Sequence, residues 1–90
     1  MSAVARHVVV HGRVQGVFFR ESTRRRADAA GVAGWVANRS DGTVEVWLEG
    51  AQEDVDVLVD YVRRGPSGAR VERVDVEDVA AEHLAGFEVR

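Results

Sequence analysis

Ninety residues, 46% hydrophobic and 30% charged with one proline, make a folded chain with one core, hence a single expected domain over residues 1–90. No cysteine is present, which excludes disulfides, thiolate nucleophiles and Cys-ligated zinc; no apolar run approaches the ~18 residues of a membrane span and Met1–Arg6 lacks a signal-peptide core, so a cytoplasmic protein is expected. The net charge of −3 is split unevenly: residues 1–40 hold seven arginines against two acids, and residues 41–90 hold five against thirteen, which favours an anionic ligand near the N-terminal part and disfavours non-specific nucleic-acid binding.

Val4 to Val10 reads as a strand, with Val8 and Val10 on one face and His7, Val9 and His11 on the other. Its continuous apolar character places it inside a sheet. Gly12-Arg13-Val14-Gln15-Gly16-Val17 is a loop. A helix follows from about Phe19 to Ala30, with Phe19, Thr23, Ala27 and Ala30 on one stripe, Arg24 to Arg26 around its outer side and Gly31 as its stop. Gly34 to Asn38 is a short strand, and Asn38-Arg39-Ser40-Asp41-Gly42 a dense turn signal. Thr43 to Glu49 alternates, with Val44, Val46 and Leu48 on one face. A second helix spans about Gln52 to Arg64, carrying Val55, Leu58, Val59 and Val62 on one face. Its acids lie in the first turn and its arginines in the last, as the helix dipole favours. Arg70 to Glu77 is a fourth strand and Phe87 to Arg90 a short terminal one.

The order is β-α-β-β-α-β plus a short C-terminal strand. Each helix has one apolar stripe, so both must cover one face of an antiparallel sheet. This is an α+β, ferredoxin-like split βαβ sandwich. The architecture hosts enzymes, RNA binders and ligand sensors alike, so function must come from a site.

The segment from His11 to Arg20 joins a strand to a helix N-terminus. Unpaired amides there, with the positive end of the dipole, favour an anion, and glycines let the backbone approach it. The Gly-x-x-x-Gly spacing alone is weak, being neither a Walker motif nor a dinucleotide fingerprint. Arg20 adds weight. A cation in the first helical turn opposes the dipole by about 0.3–1 kcal/mol, which makes sense if an anion sits there and the guanidinium grips it. The plainer alternative is a solvated arginine offset by Glu21. All twelve basic residues are arginine and isoleucine is absent too, a coding bias that makes Arg in place of Lys uninformative. Asn38, at a strand end, is either a turn asparagine bonded to nearby backbone or a neutral amide that holds a water without deprotonating it.

Gly12-Arg13-Val14-Gln15-Gly16-Val17-Phe18-Phe19-Arg20 and Gly34-Trp35-Val36-Ala37-Asn38-Arg39-Ser40-Asp41-Gly42-Thr43-Val44, followed by Gly50, closely resemble the two signature segments of the acylphosphatase family. The resemblance runs through the terminal Gly86-Phe87-Glu88-Val89-Arg90. It implies hydrolysis of the carboxyl–phosphate bond of acyl phosphates without metal or cofactor. By position it implies that Arg20 binds the phosphate together with the loop backbone, namely Arg13, Val14, Gln15, Gly16, Val17, Phe18 and Phe19. Asn38 is then expected to orient the attacking water. The partners implied are a small-molecule acyl phosphate and inorganic phosphate as product inhibitor, with no nucleic acid or membrane, and a monomer suffices. Related domains occur inside larger maturation proteins that process carbamoyl phosphate; the length and ends of this chain favour a free-standing enzyme.

The residue types suit that chemistry. Phosphoryl transfer needs positioned groups and charge stabilisation. An acyl phosphate leaves as a carboxylate with a pKa near 4 and needs no general acid, whereas a monoester leaves as an alkoxide and does. Arg20 and Asn38 supply a clamp and a water holder but no acid. The other candidates are weaker. His7 and His11 lie ~13 Å apart along an extended strand, too far for one metal ion, and His83 adds nothing to them. Trp35 and Trp47 read as cover for an open sheet face before they read as base-stacking platforms. Ser22 and Ser40 have no His–carboxylate pattern beside them. The competing function is a non-catalytic anion- or RNA-binding module of the same fold.

Overall fold

The computed structural model describes residues 3–90. The elements are β1 (Ala3–Arg13), α1 (Phe19–Ala30), β2 (Ala33–Asn38), β3 (Val44–Ala51), α2 (Gln52–Arg64), β4 (Arg70–Val79) and β5 (Phe87–Val89). The sheet order is β4-β1-β3-β2-β5, so β1 lies inside the sheet, as its run of valines requires. β1 pairs antiparallel with β3 and β4, and β2 with β3. β5 instead runs parallel to β2, with Gly34 opposite Phe87 and Val36 opposite Val89. The sheet is therefore mixed at this edge and antiparallel elsewhere. The ferredoxin-like arrangement holds, with both helices on one face.

The period-two pattern of the strands and the apolar stripes of the helices meet in one core. Val8, Val10, Val36, Val44, Val46 and Leu48 from the sheet pack with Phe19, Ala27, Val55, Leu58 and Val62 from the helices, all of them buried. Each valine, leucine or phenylalanine among them contributes about 1.5–3 kcal/mol on leaving water. Thr23, buried in the α1 stripe, satisfies its hydroxyl by donating to the Phe19 carbonyl at 2.8 Å. Arg6 also faces this side, and Asp56 of α2 and Asp78 of β4 accept from it.

β1 is longer than its valine run because Gly12 and Arg13 continue the pairing with β4 after a register shift between His11 and Gly12. Gly12 holds φ +129°, and a Cβ there would stand 2.1 Å from the Arg70 carbonyl oxygen. Only glycine lets the bulged strand lie so close to its neighbour. The ladder ends at Arg13, just past the bulge, where the loop to α1 begins.

The opposite face of the sheet is covered in part by Trp35 and Trp47, stacked at 6.3 Å between ring centroids. The Arg90 guanidinium lies 4.7 Å over Trp35. His7 contacts Glu45 at 2.6 Å and His11 contacts Asp75 at 2.9 Å, so each histidine has a carboxylate of its own. Glu49, from the same face, is buried. It accepts from the Trp47 indole at 2.7 Å and from the main-chain amides of Glu82 at 2.7 Å and Leu84 at 3.1 Å. It thereby anchors the connection that carries the chain from β4 to β5. Among the described residues, no helix is long and apolar enough to cross a membrane.

Candidate active site

Three chain segments converge beyond the end of β1. The first is the loop from Val14 to Phe18, entering α1. The second is Asn38, last residue of β2. The third is β5, brought in beside β2. Together they line a pocket of about 410 Å³ whose wall includes Val14, Gly16, Phe18, Phe19, Arg20, Glu21, Asn38 and Val89.

Gly16 has φ +74°, with no atom within 4 Å of where a Cβ would be. The backbone therefore turns its bare side to open space at the pocket wall. Phe18 precedes α1 in the left-handed region, with φ 62° and ψ 22°, and gives the helix no side-chain cap. The next amides of a helix have no intrahelical acceptor. Among the described residues, no backbone hydrogen bond outside the helices and strands uses an amide from Gln15 to Phe19. The loop thus presents donors at the positive end of a helix, the arrangement that suits a phosphate group.

Arg20 sits in the first turn of α1, half-buried. Its Nη1 donates to the Arg90 main-chain oxygen at 3.0 Å. A guanidinium has five N–H donors, so one bond orients the fork and leaves the others for a ligand. Glu21 does not offset this charge. Its carboxylate is taken by Arg24, whose Nε donates at 3.1 Å, with Arg25 at 3.6 Å. The hydrogen bond from Arg24 holds the Glu21 carboxyl below its ordinary range, so this acid stays ionised and is no proton donor near neutrality. The dipole mismatch read at Arg20 therefore persists in the fold.

Asn38 does not serve as the turn asparagine. Asp41 takes that part, its Oδ1 accepting from the Thr43 amide at 3.0 Å and the Thr43 hydroxyl at 2.6 Å. Those hydrogen bonds, the hydroxyl's first, hold the Asp41 carboxyl low. Gln15 joins the two halves of the site: its Nε2 donates to the carbonyls of Arg39 at 2.7 Å and Thr43 at 2.9 Å.

Of the expected loop residues, Val14, Gly16, Phe18 and Phe19 reach the pocket wall, while Arg13, Gln15 and Val17 do not. Arg13 ends the β1 ladder opposite Arg70. Gln15 turns to the β2–β3 turn, and Val17 packs on the core. Sequence reasoning missed Val89 and the Arg90 oxygen. Their place depends on which strand β5 pairs with, and nothing local in three residues encodes that.

The acylphosphatase family model matches residues 6–89. The chain belongs to the acylphosphatase family. An acylphosphatase of Rubrobacter xylanophilus is 57% identical over 84 residues, which is 92% of this chain and 76% of that protein. The structure of an acylphosphatase from Coxiella burnetii superposes with a TM-score of 0.94 at 40% identity, covering 98% of this chain and 93% of that one. Full-length HypF superposes with a TM-score of 0.92 at 26% identity, with 99% of this chain matched to 12% of that protein. Acylphosphatases are hydrolases, and the family implies a small-molecule acyl phosphate as substrate. The ferredoxin-like arrangement read from the order of elements is also that of these relatives.

Proposed function

We propose that this chain, as one domain, hydrolyses acyl phosphates at the pocket between the β1–α1 loop and Asn38, without metal or cofactor. The observation that carries the reading is the convergence of Arg20, the uncapped loop and Asn38 on one wall. The phosphoryl group docks against the main chain of Val14, Gly16, Phe18 and Phe19 at the α1 N-terminus. The Arg20 fork grips its oxygens, held in place by the Arg90 main-chain oxygen. Asn38 hydrogen-bonds the attacking water and aims it at phosphorus, opposite the acyl oxygen.

The water oxygen forms a bond to phosphorus as the phosphorus–acyl oxygen bond breaks. The electron pair leaves on the carboxylate, and the water's proton passes to a phosphate oxygen. An acyl phosphate dianion and water thus become a carboxylate and dihydrogen phosphate. No protein acid is needed, because a carboxylate is a stable anion near neutrality. No histidine lines the pocket, and Glu21 is committed to Arg24. The same economy makes the site poor on phosphate monoesters, whose alkoxide leaving group needs a proton.

Incubation with benzoyl phosphate tests the reading. Rapid release of phosphate, inhibited competitively by added inorganic phosphate and unaffected by chelators, is the expected result. Binding of phosphate with no turnover would instead mark an anion-binding module.

A further inference from the structure

Phe18 carries two costs at once. Its backbone is left-handed, which disfavours any residue but glycine or asparagine, and its ring is 83% exposed. Its neighbour Phe19 is only 2% exposed, in the core, so the left-handed turn sends two adjacent rings to opposite fates. Strain of this kind concentrates at ligand sites. Among the described residues four large hydrophobics are exposed, and two of them, Phe18 and Val89, border the same pocket as Arg20 and Asn38. They come from segments about seventy positions apart, brought together by the pairing of β5 with β2.

We infer that Phe18 and Val89 form an apolar lip that receives the acyl substituent, giving the site a preference for aromatic and bulky apolar acyl phosphates over small ones. This rests on the hydrolase reading above. In an acyl phosphate one oxygen separates phosphorus from the acyl carbon, so with the phosphoryl group on the loop the substituent emerges at the rim. Phe18 stands there, two residues before Arg20. A bound aromatic group covers the wet ring and gains a ring–ring contact.

The test compares kcat/KM for benzoyl phosphate with that for acetyl phosphate, as a ratio, in the wild type and in variants. The ratio cancels any effect a substitution has on the phosphate loop itself. Phe18→Ala is expected to lower it about threefold to tenfold, the size of one aromatic contact, mostly through KM for benzoyl phosphate. Val89→Ser should lower it by a smaller factor, and Phe18→Trp should retain it. An unchanged ratio in Phe18→Ala overturns the lip while leaving the hydrolase reading intact. Failure of the wild type to turn over either compound overturns the hydrolase reading and the lip with it.

Discussion

In the proposed hydrolysis, Arg20 concentrates the chemistry at one side chain. Its charge lies at the wrong end of a helix for stability, at a cost of about 0.3–1 kcal/mol; Glu21 is occupied by Arg24, and the Arg90 main-chain oxygen takes one of its five donors. Arg20→Gln should leave the fold intact by circular dichroism. It should abolish measurable turnover, and calorimetric titration should detect no phosphate binding; unchanged phosphate affinity would contradict its role. The role proposed for Asn38 is different, because an amide that holds the attacking water acts mainly as bonds change. Asn38→Ala should lower kcat about 100-fold, typical for loss of one positioned polar group, with a smaller effect on the phosphate inhibition constant. A larger loss of binding than of rate would assign Asn38 to phosphate contact.

Between elements, two side chains hold the site's parts together. Gln15 ties the β1–α1 loop to the β2–β3 turn through two carbonyls. Gln15→Ala frees that turn, which follows Asn38, without removing a loop amide. It should therefore lower kcat about tenfold, in line with one misplaced group, while phosphate inhibition changes less; steady-state kinetics separates the two. Glu49 fastens the connection that delivers β5. Burial pushes its carboxyl up, but the amides of Glu82, Leu84 and His83 and the Trp47 indole outweigh burial and hold it below its ordinary range. A carboxyl that titrates lower folded than unfolded stabilises the fold fully above its unfolded value, near 4.3, and loses that contribution as pH falls through the folded one. Between about pH 7 and about pH 3 the wild type should lose more stability than Glu49→Gln, measured by urea midpoints. Parallel curves would show that the charge is not what anchors the strap.

The molecule as a whole depends on one shared core under both helices. Leu58, fully buried on α2 among the sheet valines, has little room to be replaced. Leu58→Ala should cost about 2–5 kcal/mol, a large part of the about 5–15 kcal/mol available to a domain of this kind. A urea unfolding curve should show a lower midpoint at unchanged slope. The core holds both the strand that ends at the β1–α1 loop and the helix that begins there, so its loss also blunts the candidate site.

The helices, the hairpin, the apolar faces and the loop bearing Arg20 are legible in the order of residues alone. These are short-range matters: the period of apolar residues, turn residues at Asp41-Gly42, and charge against dipole act over a few positions. Tertiary structure alone decided the bulge that lets Gly12 and Arg13 extend β1, the parallel seat of β5 beside β2, the burial of Glu49 under the strap and the meeting of Phe18 with Val89. Glu49 shows why. It alternates with Glu45 on one strand face, and nothing nearby distinguishes them, because the amides that bind Glu49 lie more than thirty residues further along. Contacts between distant segments depend on which strands pair, and that choice is made by the packing of the whole sheet.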